Sequence, residues 1–135
     1  MSNWNEQLIE LFRSNDGNVE TMFPDAPPLL LLHHTGAKTG TQRIAPLAFQ
    51  ELDGSWAIFA SKGGAPDNPD WYHNLLAHPQ VEVEFATQTL PVTARVAADE
   101  ERTPIWTKQK IDRPGFAEYE AKTDRQIPVI ILDPR

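Results

Sequence analysis

Val81-Glu82-Val83-Glu84-Phe85-Ala86-Thr87-Gln88-Thr89-Leu90-Pro91-Val92-Thr93-Ala94-Arg95-Val96 alternates apolar and polar residues twice, with a break at 86–89. A period of two belongs to a strand with one buried face. Val81, Val83 and Phe85 therefore face one side, opposite Glu82 and Glu84. In the second arm Leu90, Val92, Ala94 and Val96 face inward against Pro91, Thr93 and Arg95. Two such arms with a short connection read as an antiparallel hairpin. A parallel pair would need a long crossover between them, and there is no room for one.

The flanking sequence extends this pattern. Residues 29–33 are an unbroken apolar run ending in histidine, the mark of a strand buried on both faces. Residues 43–50 and 55–61 form two further strands around the turn signal Asp53-Gly54. Pro46 requires an edge or a bulge in the first of these. Residues 127–132 close the chain as a buried strand.

Helical spacing predicts a helix over 3–12, with Trp4, Leu8, Leu11 and Phe12 on one face and a stop at Asn15-Asp16-Gly17-Asn18. Met22, Phe23, Pro24, Pro27 and Pro28 follow as a rigid lead-in. A second helix starts at Pro69, capped by Asn68, carries Trp71, Tyr72, Leu75 and Leu76, and stops at His78-Pro79. A third spans 99–110 with Ile105 and Trp106 inward. Six short, mostly antiparallel strands with helices at the joints predict an α+β, mainly β fold closed as a small barrel.

The chain has 135 residues, 40% hydrophobic, which suits one domain with a sizeable core. It contains no cysteine, so disulfides, thiolate catalysis and iron–sulfur ligation are excluded. A net charge of −7 argues against a nucleic-acid partner. Neither a membrane-length apolar run nor a basic, apolar leader is present, and the expected location is cytoplasmic.

The distribution of charge says more than its total. From Ala26 to Gln50 there is no acid, yet Lys38 and Arg43 lie there; Gly54 to Pro66 is also acid-free and holds Lys62. From Asp99 onward eight acids and seven bases mix as on an ordinary solvated surface. Gly36-Ala37-Lys38-Thr39-Gly40-Thr41 lacks the Lys-Ser/Thr that must follow the second glycine of a P-loop, and no dinucleotide fingerprint exists. His33 and His34 face opposite ways on a strand, and His73 and His78 are five apart, so no metal site is expected. Two glycine-bearing loops with Lys38, Arg43 and Lys62 remain, followed by Asp70-Trp71-Tyr72. The loops are either plain turns or a site for an anionic ligand whose ring the aromatic residues wall.

The ordered series Thr35-Gly36-Ala37-Lys38-Thr39-Gly40, Arg43, Pro46-Leu47, Ala60-Ser61-Lys62-Gly63-Gly64, Asn68-Pro69, Trp71-Tyr72 and Asp124-Arg125-Gln126-Ile127-Pro128 resembles the actinobacterial deazaflavin-dependent nitroreductase and quinone reductase family. The resemblance implies a single split β-barrel domain over 1–135 of the flavin-reductase and pyridoxamine-oxidase kind, with a helix and lead-in over 1–28 and the cofactor-binding barrel over 29–135. It implies coenzyme F420, an 8-hydroxy-5-deazaflavin, as hydride donor, and a quinone or nitroaromatic acceptor. By motif position the cofactor is held by Ala37, Lys38, Thr39, Arg43, Ile44, Ala45, Pro46, Leu47 and Ala48, by Phe59, Ala60, Ser61 and Lys62, and by Asp70, Trp71, Tyr72, His73 and Asn74. Ser61, Tyr119 and Trp71 are the expected catalytic residues, and Trp71, Phe116 and Tyr119 the substrate wall. Arg113 and Phe116 depart from the tyrosine pattern of nitroimidazole-reducing members, which favours quinones. FMN or haem in the same barrel, or a carrier without catalysis, are the alternatives. A monomer or weak homodimer is expected, and the apolar face of the first helix is a candidate cover for the site or for peripheral contact at the inner face of the plasma membrane.

Overall fold

The computed structural model describes residues 4–17 and 29–135. Its strands are β1 (Leu29–Thr35), β2 (Gln42–Glu51), β3 (Trp56–Phe59), β4 (Gln80–Phe85), β5 (Gln88–Val96) and β6 (Val129–Pro134). They close into a split β-barrel in the order β1-β2-β3-β6-β5-β4, and every neighbouring pair is antiparallel. The helices are α1 (Trp4–Ser14), α2 (Asp70–Ala77), α3 (Asp99–Asp112) and α4 (Gly115–Ala121). The hairpin read from its alternation is β4–β5, with Phe85 opposite Gln88 and Ala86 in the turn at φ 53°.

Alternation places Leu30 and Leu32 of β1, Phe49, Ile58, Val83, Val92, Ile130 and Leu132 in the barrel interior, where α2 adds Trp71 and Leu75. The other face of β1 is buried too, because Leu31 lies beneath Phe12 of α1, both at 1% exposure or less. That double burial is why β1 reads as a continuous apolar run. Arg13 ties α1 to β4 with two bonds to Glu84, Nε–Oε1 3.0 Å and Nη2–Oε2 2.7 Å, and His33 Nε2 lies 2.7 Å from the same carboxylate. Hydrogen bonding from Arg13 holds the Glu84 carboxyl below its usual range.

A second apolar layer lies outside the barrel. Ala57, Phe59, Val129 and Ile131 pack against Trp106 of α3, with Phe116 and Tyr119 of α4 at its margin. Gln50 of β2 is buried there and donates to Ile105 O at 3.1 Å. Glu120 of α4 takes the Trp106 indole N–H and, at 3.0 Å, Lys110 Nζ, which fixes α4 on α3.

The structure departs from the sequence reading in several places. α4 is an extra helix that sequence periodicity does not reveal. Val96 is 46% exposed rather than inward, although its strand partner Ile130 is buried in the core. Ile127 is buried but precedes β6, its carbonyl taken by Arg102 Nε and Nη2 at 3.1 and 2.9 Å. Trp4's side chain, Asn18 and the lead-in of Met22, Phe23, Pro24, Pro27 and Pro28 lie outside the described residues.

Ile58 is fully buried at the barrel centre. Ile58→Ala is expected to lower the unfolding free energy by about 2–5 kcal/mol through lost burial and a cavity. Leu76→Ala, at a 56% exposed site, is expected to change it by no more than about 0.5 kcal/mol. Urea unfolding of both variants checks the assignment of inside and outside.

Candidate active site

β1 pairs with β2 along seven residues, but β3 meets β2 only at Phe49–Ile58, Gln50–Ala57 and Glu51–Trp56. The first part of β2, up to Ala48, therefore has a strand on one side only. Pro46 sits in that part, opposite Leu31, where its missing N–H deprives no second neighbour. The gap is a groove of about 730 Å³. Ala45, Pro46, Leu47 and Ala48 form one bank, Phe59, Ser61 and Lys62 the other, with Pro69 and Trp71 beside them. The α3–α4 corner, 112–116, and Tyr119 close the remaining side. Backbone groups of the open β2 edge that face the gap belong to no ladder, so a flat ligand with polar edges finds both donors and acceptors there.

A second groove of about 550 Å³ adjoins it at the start of α2. The β1–β2 loop supplies Gly36, Ala37, Lys38 and Thr39, β2 supplies Arg43, and α2 supplies Asp70, His73 and Asn74. The loop is closed by Gly36 N–H to Thr41 O at 2.8 Å and Gly40 N–H to Gly36 O at 2.9 Å, the latter needing the positive φ of 70° at Gly40. Buried Asn74 anchors it to α2: Asn74 Oδ1 accepts from Ala37 N–H at 2.9 Å, which leaves Asn74 Nδ2 to donate to His34 Nδ1 at 2.9 Å. That order of donation assigns the His34 proton to Nε2. Burial depresses the His34 pKa, and Arg43 pushes it the same way.

Beyond β3 the chain makes a 3₁₀ turn at Lys62–Gly64, with Lys62, which lines the first groove, in the left-handed region at φ 47°. Lys62 Nζ lies 3.3 Å from Asp67, both well exposed, a pairing weak enough to yield to a ligand anion. Gly64 has φ 85°, and a Cβ there would meet Tyr119 O at 2.8 Å, so α4 rests directly on this turn. Phe116 stacks edge-on against Phe59 and Tyr119, at 5.5 and 5.4 Å between centroids, and presents the aromatic wall to the groove.

Most of the expected site residues thus converge. Ala37, Lys38, Thr39, Arg43, Asp70, His73 and Asn74 line the cationic groove, while Ala45, Pro46, Leu47, Ala48, Phe59, Ser61, Lys62, Trp71, Phe116 and Tyr119 line the apolar one. Trp71 is both core and wall, at 8% exposure. Three side chains lie elsewhere. Ile44 packs against α1, Ala60 is sealed in the barrel interior, and Tyr72 packs on the barrel core and against His73. Asn68 is not the cap of α2, which begins at Asp70 after Pro69; its side chain accepts from Arg125 instead. Among the described residues of α1, Leu8, Ile9, Leu11 and Phe12 pack on β1 and β2 rather than over the site. At the 112–115 corner the sequence pointed to Arg113 alone; Asp112, Pro114 and Gly115 were missed, although the Pro114-Gly115 break was their signal.

Over residues 4–134 the sequence matches the profile of F420H(2)-dependent quinone reductases. The chain belongs to this family. It is 37% identical to an F420H(2)-dependent quinone reductase of Mycobacterium tuberculosis H37Rv, over 96% of this chain and 91% of the relative. Among solved structures it resembles an F420-H2 dependent reductase at 45% identity, TM-score 0.71, covering 78% of this chain and 94% of that one. Another, described as a domain-swapped dimer, matches at 40% identity and TM-score 0.73 over 95% of each chain. Family members are oxidoreductases, and no helix among the described residues of this one is long and apolar enough to cross a membrane.

The hydrogen-bond chain His34–Asn74–Ala37 ties the loop to a histidine that the fold holds neutral. The folded state favours neutral His34, so its contribution to stability is fully present above the unfolded pKa of about 6.5 and is lost as pH falls below it. Urea unfolding between about pH 7 and pH 5.5 should show wild-type stability declining on acidification. His34→Asn, which keeps an acceptor but cannot be charged, should show a smaller decline.

Proposed function

We propose that this protein transfers a hydride from reduced coenzyme F420 to a quinone, with the cofactor lying across both grooves. The supporting observation is the pairing of two grooves lined by neighbouring residues of β2 and α2: an aromatic one with an open strand edge at Ala45–Ala48, Pro69 and Trp71, and one at Arg43 and Asp70 that gathers Lys38 and Arg43 on an otherwise acidic chain. F420 has the matching parts, a planar deazaflavin and an anionic tail of phosphate and glutamates. Lys38 and Arg43 hold the phosphate, Arg43 able to do so with two parallel bonds, and the backbone of Ala37 and Thr39 borders it. The β2 edge at Ala45–Ala48 and the Phe59–Lys62 segment would hold the deazaflavin ring, with Trp71 beside it.

Bound there in reduced form, the cofactor supplies a hydride. The protein's task is then orientation and exclusion of water rather than acid–base chemistry. Phe116 and Tyr119 stack the quinone over the groove. The Ser61 and Tyr119 hydroxyls donate hydrogen bonds to the quinone oxygen that becomes negative, and solvent delivers the proton that completes the hydroquinone. Ser61 is suited to this because it lines the groove beside Phe59 and Lys62.

The test is protein-dependent oxidation of reduced F420 by menadione, followed by the rise of the deazaflavin absorbance. Lys38→Ala should raise the cofactor KM by about tenfold with kcat within about twofold, because a tail contact is felt equally in ground and transition states. Added salt should raise the wild-type KM by screening the same contact. Ser61→Ala and Tyr119→Phe should each lower kcat by about tenfold. Wild-type turnover in both variants would remove them from the mechanism. Binding of F420 without oxidation would indicate a carrier, and no binding would overturn the reading.

A further inference from the structure

We propose that Arg125 is the positioning residue that shapes the ring-binding segment between β3 and α2. Its guanidinium makes four hydrogen bonds, all to that one segment. Nε donates to Ala65 O at 3.0 Å, Nη1 to Ala60 O at 3.1 Å and to Asn68 Oδ1 at 2.7 Å, and Nη2 to Ser61 O at 3.0 Å. The acceptors span 60–68, so a single planar fork sets the path of nine residues.

The need for such a fork follows from the split in the barrel. Beyond Phe59 the chain leaves β2 and β6, and its last backbone bond to the sheet region is Ala60 N–H to Pro128 O at 3.0 Å. Within the segment the backbone adds Gly64 N–H to Ser61 O and Ala65 N–H to Lys62 O, at 2.9 and 3.1 Å, beside the exposed Lys62–Asp67 pair. Partly buried carbonyls without a ladder are costly unless a donor reaches them. Arginine suits the task because its five N–H groups lie in one rigid plane, which lysine cannot reproduce.

The consequence for the groove lies in the peptide planes. The C=O of one residue and the N–H of the next point in opposite directions across a trans peptide. Drawing the Ala60 and Ser61 carbonyls toward Arg125 turns the N–H groups of Ser61 and Lys62 away from it, and neither donates to a described residue. Those are the residues of this segment that line the groove. Arg125, itself outside the groove lining, thus holds two adjacent backbone donors ready for an electron-rich ring edge. It also accounts for Asn68, whose side chain is used here and not as a helix cap.

The functional half of this assignment rests on the hydride-transfer reading, whereas its structural half does not. Full-length wild type, Arg125→Ala and Arg125→Lys would be compared by amide hydrogen exchange without cofactor, then by F420 and menadione kinetics. In both variants exchange at Gly64 and Ala65 should accelerate by about tenfold or more as the segment loosens, with β4 and β5 unchanged. The cofactor KM should rise and kcat fall, each by about tenfold, and lysine should not rescue. Guanidinium at about 50 mM, far below denaturing levels, should restore part of kcat/KM in Arg125→Ala and not in wild type. Unchanged exchange at Gly64 and Ala65 in either folded variant overturns the assignment. So does accelerated exchange with unchanged KM and kcat. If Arg125→Ala fails to fold, Arg125→Lys carries the same comparison. If wild type neither binds nor oxidises F420, the hydride-transfer reading fails, while the exchange data still decide whether Arg125 holds the segment.

Discussion

The separation of β2 from β3 after three residue pairs governs the rest of the molecule. A barrel closed along every seam would bury all its strand edges and leave no concave surface among them. Here one seam stays open, and the exposed edge of β2 becomes a strip of backbone donors and acceptors on an apolar bank. Opening it obliges the chain beyond β3 to find other partners. Arg125 supplies them from one side, and α4 packs on Gly64 from another. The groove is therefore framed by elements brought from distant parts of the sequence.

Electrostatics divides the same space in two. One groove is walled by Phe59, Trp71, Phe116 and Tyr119 with Lys62, Asp112 and Arg113 also in its lining, whereas the other gathers Lys38 and Arg43 with Asp70 beside them. A chain of net charge −7 repels anions in general, so two cations on an acid-free stretch form a local exception. His34 adds no charge to this region while neutral, and its buried link through Asn74 keeps the lysine-bearing loop against α2. A ligand that is flat and neutral at one end and anionic at the other meets both environments without forcing a charge into the aromatic wall.

Much of this was legible in the sequence where one physical signal dominates. The alternation of 81–96 gives both strands and their faces but not their register, since the turn is tighter than 86–89 and sets Phe85 opposite Gln88; Asp53-Gly54 marks the second hairpin. The acid-free stretches located the two loops that do line the grooves. What was not legible depends on contacts across the fold. α4 spans only Gly115–Ala121, too short to be stable by propensity, and exists because Phe116 and Glu120 are held by Phe59 and Trp106. Tyr72 follows Trp71 directly, but a helix turns about 100° per residue, so adjacency in a motif did not place both on the groove. Ile44 belongs to the strand face that α1 covers, which no local pattern reveals. Arg125 lies 57 to 65 residues from the groups it binds, and its sequence neighbourhood gives no hint of them.

This arrangement also explains why a search for acid–base pairs or metal ligands along the chain is unrewarding. Hydride transfer depends steeply on the distance and angle between donor and acceptor, and much less on a titrating side chain. Selection for such a reaction acts on rigidity, through residues that look structural. Asn74 fixes a loop, Gly64 sets how closely α4 approaches, and Arg125 aims a pair of peptide planes. None of the three has a side chain that performs chemistry on a quinone. A substitution at any of them would alter the angle or spacing of the groove's banks while leaving its composition intact. On this reading the barrel's catalytic content is shared between the Ser61 and Tyr119 hydroxyls and the backbone groups of the groove, and the side chains that hold the open seam at one width matter as much as those that touch the acceptor.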